Sequence, residues 1–127
     1  MTVRRGAAAL AFALLVATPA QAAPGDMSAA AFLAKADALR AKGPMALLSG
    51  DIKLLKAEGQ AAGLAYRARL KAEKSAGKPP HSCPPPKSKI NSTQVIDHLR
   101  SYAPATRART TMKAAISDLM VKTFPCG

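Results

Sequence analysis

Apolar side chains recur every three or four positions through most of the chain after residue 27, the period of helices that bury one face. The first such stripe carries Phe32, Ala36 and Leu39. Ser28 stands before it as an N-cap with Met27 placed to staple onto Phe32, and Gly43-Pro44 follows Lys42 as a stop signal. A short turn through Met45, Leu47 and Leu48 leads to Ser49, Gly50 and Asp51, which begin a second helix. There Ile52, Leu55, Gly59, Ala62, Gly63, Tyr66 and Leu70 fall on a single stripe. Gly59 and Gly63 lie on it, and each costs a helix about 1 kcal/mol relative to Ala. Their placement predicts close approach of another backbone.

Residues 77 to 90 interrupt the helical period. Pro79, Pro80, Pro84, Pro85 and Pro86 are half of the ten prolines in the chain, and none can sit inside a helix. The segment reads as a stiff, extended loop. A third helix opens on Asn91 as N-cap with Gln94 three residues on, Ile90 and Val95 forming the staple, and Val95, Ile96, Leu99 and Tyr102 facing inward. Pro104 marks the start of a fourth, predicted to run unbroken to about Thr123 with Ala108, Met112, Ala115, Ile116 and Leu119 inward. Nowhere do residues alternate as a strand requires. The predicted class is all-α, a small four-helix bundle-like domain with one Pro-rich loop between helices 2 and 3.

The N-terminus follows a different rule. Arg4 and Arg5 precede an unbroken apolar run over residues 7 to 17, and Ala20-Gln21-Ala22 supplies the small-x-small pattern of a cleavage site. The run is too short to span a bilayer. Residues 1 to 22 are therefore expected to be a signal peptide cleaved after Ala22, leaving residues 23 to 127 as one helical domain exported to the periplasm. Export to an oxidising compartment makes a disulfide between Cys83 and Cys126, the only two cysteines, the expected state.

The chain of 127 residues carries 19 Lys plus Arg against 7 Asp plus Glu, a net charge of +12. Between Arg67 and Lys89 seven basic residues meet one acid, Glu73, and between Arg100 and Lys122 five meet Asp118 alone. Such clustering points to an anionic partner near the end of the second helix. Nucleic acid is disfavoured, because export removes the usual targets and Tyr66 is the single aromatic available for stacking there. Catalytic chemistry is hard to assemble. Glu58 and Glu73, the only glutamates, read as solvated charges on a basic helical surface. His81 lies two residues from Cys83, but a disulfide removes the thiolate that a Cys-His nucleophile needs. Two His and two Cys equal the ligand number of a zinc site, yet His98 and Cys126 are isolated in sequence. The expectation is a non-enzyme with neither metal nor cofactor.

The C-terminal half resembles a known family. Cys83-Pro84, the Asn/Ser-capped helix with Val95, Ile96 and Leu99, Pro104 with Arg107 three residues on, and the terminal Phe124-Pro125-Cys126 together are similar to the Rap/Tai proteins, exported immunity proteins against peptidoglycan amidases delivered by type VI secretion. Gly63 matches the glycine of that family's Cys-x-x-Tyr-x-x-Gly stretch, with Ala57 and Gln60 at the Cys and Tyr positions. The resemblance covers roughly residues 50 to 126 and departs from the family in lacking a second pair of cysteines.

The resemblance implies binding without catalysis: a periplasmic protein, often a homodimer, that inserts a protrusion into an amidase's substrate cleft. On that footing residues 78 to 89, with Arg67 and Arg69 nearby, are expected to form part of the contact surface, through Arg67, Arg69, Lys78, His81, Lys87 and Lys89. Gly63, Pro84, Pro104, Arg107, Phe124 and Pro125 are expected to be structural. Two other readings stay open: an envelope protein that holds anionic cell-wall or lipid groups on its basic surface, and a small periplasmic chaperone.

Overall fold

A computed structural model describes residues 22–127; the signal-peptide reading, residues 1 to 22, lies outside the described residues except for Ala22. Five α-helices are present among the described residues: α1 (Ala29–Lys42), α2 (Gly50–Ser75), α3 (Ser92–Ser101), α4 (Pro104–Arg109) and α5 (Met112–Thr123), with a 3-10 turn, Gly43–Leu48, between the first two. The all-α class is correct, and the described residues form no strand beyond an isolated bridge between Ser28 and Thr111.

Four of the five helices start at a residue whose side chain caps them, and α4 starts at Pro104 without such a cap. The side chains of Ser28, Ser49, Asn91 and Thr111 accept the first free backbone N–H groups of α1, α2, α3 and α5. At α3 the capping box is complete, Asn91 and Gln94 bonding reciprocally. α1 ends at Gly43, whose φ of 56° lies in the left-handed region, and Pro44 prevents continuation.

The core lies where α2 packs along α5, with α1 and α3 laid against them. Phe32, Leu33, Tyr66, Leu99, Met112 and Leu119 are its large members, and Ala29, Ala62 and Ala115 let the helices close. Leu99 and Met112 are fully enclosed, each contributing about 1.5–3 kcal/mol of transfer free energy.

Three expectations are corrected. The predicted fourth helix is two. Thr110 and Thr111 are extended, with ψ of 123° and 159°. There the chain pairs with the segment before α1, Ala29 N–H donating to Thr110 O and Met112 N–H to Met27 O. Ala108, on the separate short α4, is consequently exposed rather than inward. Glu58 is not a solvated charge. It is buried, and its Oε2 accepts the backbone N–H groups of Gly25 at 2.7 Å and Met27 at 3.3 Å. Finally, among the described residues no backbone approaches Gly59 or Gly63, and a Cβ on either would meet nothing within 4 Å.

Arg107 Nη2 donates to the carbonyl of Arg100, latching α4 to α3, while its Nε is enclosed without a partner among the described residues. Lys35–Asp51 and Arg100–Asp37 are ion pairs at partly exposed positions, worth under about 1 kcal/mol each.

Candidate functional site

The Pro-rich segment begins where α2 stops. Gly77, with φ of 65°, terminates the helix in the left-handed conformation. Its N–H bonds to Lys74 O and that of Lys78 to Glu73 O, the paired bonds of a Schellman ending. From there the backbone has no regular partner, so side chains hold it. Glu73 accepts the His81 N–H at 2.9 Å and the Arg69 Nε–H at 2.8 Å. Both bonds keep its carboxyl below the ordinary 4.5, the Arg69 bond foremost. The Tyr66 hydroxyl, buried under the loop, lies 2.6 Å from Ser82 Oγ and 2.9 Å from His81 Nδ1. Cys83 N–H donates to Phe124 O at 2.8 Å, and the Cys83–Cys126 disulfide fastens the same point covalently. The loop is fixed without being regular.

This disulfide fits an oxidising, extracellular compartment. Phe124 also donates its N–H to Met120 O at the end of α5, so Phe124 and Cys126 join that helix to the loop as one unit. Pro84 is half-buried, Pro104 begins α4, and Pro125 is exposed.

Beside the loop lies an open groove of about 950 Å³. α2 forms one long wall with Leu55, Gly59, Gly63 and Leu70. The other is built by Ile90, Val95 and Ile96, with Phe32 and Leu39 of α1 and Met120 of α5 completing the apolar lining. α2 and α3 stay apart along it, each packed instead on α5 and α1. The groove's three charged lining residues, Lys56, Arg67 and Lys89, are all basic.

The predicted contact residues separate into groups. Arg67 and Lys89 share the groove rim. Lys78 lies in a second depression of about 510 Å³ with Lys74, Pro80 and Cys83. Lys87, exposed, occupies a left-handed turn with φ of 64°. Arg69 and His81 bond inward to Glu73 and Tyr66, which makes them positioning residues for the loop.

A polar chain escaped the sequence reading. Tyr102 O–H donates to Asp118, and its oxygen lies 3.0 Å from Nε2 of the buried His98, so the three side chains form one hydrogen-bonded chain. Burial foremost, then the Lys122 charge, holds His98 below its ordinary 6.5, with Asp118 opposing, and burial with the Asp118 bond raises Tyr102. The four-residue spacing of His98 and Tyr102 at the end of α3 was the available signal.

Among the described residues no three His, Cys, Asp or Glu side chains cluster as metal ligands, and no helix is long and apolar enough to cross a membrane. Comparison of the chain with family models, with curated proteins and with solved structures returns no match.

Proposed function

We propose that this chain is an exported, non-catalytic immunity-type protein of the periplasm that binds a peptidoglycan amidase effector of type VI secretion and blocks its cleft. The observation that carries the reading is the loop over residues 77 to 90, irregular in backbone yet tied at Glu73, Tyr66, Phe124 and Cys126. An obstructing protein gains affinity when its contact segment is ordered before binding, because the entropy of ordering is not lost on association. Lys78, Lys87 and Lys89 are exposed on this segment and offer charge to an acidic cleft rim. The pairing of Cys83-Pro84 with Phe124-Pro125-Cys126 brings together in space the two motifs that carry the family resemblance.

The test is inhibition. The disulfide-intact chain is titrated into type VI amidases acting on crosslinked peptidoglycan, and release of cleaved peptides is followed. Stoichiometric inhibition of one amidase is expected, weakened about tenfold or more when Lys78, Lys87 and Lys89 are replaced together by Ala. Inhibition indifferent to that triple replacement places the contact elsewhere. Failure against every amidase, with salt-sensitive retention on envelopes, transfers the function to the basic surface and its anionic cell-wall or lipid ligands.

A further inference from the structure

The groove beside the loop is built to receive something the loop does not supply. Its walls are aliphatic, and it stays open although Ile116 and Met120 of α5 lie within its lining. Gly59 and Gly63 stand one helical turn apart on α2, both in the lining, with open space where their Cβ atoms would be. Two glycines inside a 26-residue helix weaken it, and among the described residues no neighbour uses the room they leave. Such a bare strip of helix lets a second backbone lie against it.

The charges select the occupant. Lys56 and Arg67 lie along the α2 wall three turns apart, about 16 Å at helical rise, and Lys89 stands on the loop side, with no acidic residue in the lining. A single-headed amphiphile answers a cation at one end of a groove. Cations distributed along three turns answer an occupant with several carboxylates spaced along its length. A second copy of this chain is opposed by the net charge of each copy, +12 over the full sequence and +10 once Arg4 and Arg5 leave with residues 1 to 22. We infer that the groove binds an amphipathic α-helix of the protein partner, about three turns long, with its apolar face against Gly59 and Gly63 and acidic residues flanking that face. This rests on the reading of the chain as a protein-binding module and gives that module a second contact beside the loop.

The probe is a labelled Leu/Glu peptide of about four helical turns with all Leu on one face, measured by fluorescence anisotropy against the disulfide-intact chain. The controls are its Leu/Lys counterpart and a shuffled Leu/Glu peptide. Saturable binding of one Leu/Glu peptide per chain is expected, at least about tenfold tighter than either control. Gly63→Leu projects into the groove from a position where a Cβ meets nothing within 4 Å among the described residues, and is expected to weaken binding about tenfold or more without lowering the melting temperature. A Lys56→Glu/Arg67→Glu variant tests the charges separately and is expected to prefer the Leu/Lys peptide.

Equal affinity for the three peptides, or an unaltered affinity in Gly63→Leu, overturns the inference. So does stoichiometric displacement by hexadecanoate, which marks a lipid site, or sedimentation as a dimer that Gly63→Leu dissociates, which marks a self-interface. The two readings separate cleanly. Peptide binding without inhibition of any amidase keeps the groove and removes the immunity role, whereas inhibition without peptide binding does the reverse.

Discussion

Glu58 ties the segment before α1 to the middle of α2 through two backbone N–H groups, at 5% exposure. Replacing it with Ala leaves both donors without an acceptor, and bonds to a carboxylate are worth about 1.5–3 kcal/mol each. Glu58→Ala should therefore lower the urea midpoint by an amount equivalent to at least about 2 kcal/mol. Glu58→Gln keeps an acceptor and should lose less. Gly63→Ala should act in the opposite direction, raising stability by up to about 1 kcal/mol, since Cβ there meets open space. His98 gives a pH dependence. Its folded-state pKa lies below the ordinary 6.5, so above pH 6.5 both states are neutral and its contribution is complete. Below 6.5 the unfolded chain takes the proton first, and stability declines as pH falls toward the folded value. Glu73, also depressed, contributes above 4.5 and loses its contribution only in more acid solution, so the windows are distinct. Urea midpoints measured from pH 7.5 to 5 should fall for the wild type, and His98→Gln should flatten that slope. Glu58 meets its partners more than thirty positions back along the chain, whereas His98 bonds only four positions on, to Tyr102; a stripe pattern cannot distinguish a buried polar side chain from a solvated one.

At the level of elements, starts and stops were legible. Ser28, Asn91 and Gly43 act within three or four residues of themselves, so the sequence already contains both partners of each cap. The division between α4 and α5 was not legible, because helical period continues across Thr110 and Thr111. Continuing the helix there competes with Thr111 capping α5 and with backbone bonds to Met27 and Ala29, whose carbonyl and N–H come from the far end of the chain. Thr111→Ala removes one side of that competition and should cost about 1 kcal/mol by thermal melting. If the melting temperature stays put, the backbone bridge alone maintains the break.

For the whole molecule the disulfide sets the scale. It closes a sequence separation of 43 residues, worth on the order of 4 kcal/mol in the chain-entropy model, a large share of a small domain's stability. Reduction should lower the urea midpoint accordingly. It should also release the loop, so that trypsin cuts after Lys87 and Lys89 much faster in reduced than in oxidised protein; equal rates mean that Tyr66 and Glu73 hold the loop without the bond. The sequence by itself determined the all-α class, the caps, the Pro-rich interruption and the cysteine pairing, because each depends on neighbours a few residues apart or on the only two cysteines present. Only the tertiary structure decided that Glu58 is buried, that the last helix is two, and that Gly59 and Gly63 face an open groove instead of a packed neighbour. Period marks which face of a helix is apolar. Whether another element arrives to cover that face depends on how α2 and α3 both dock on α5 and α1 rather than closely on each other, a consequence of assembly in three dimensions.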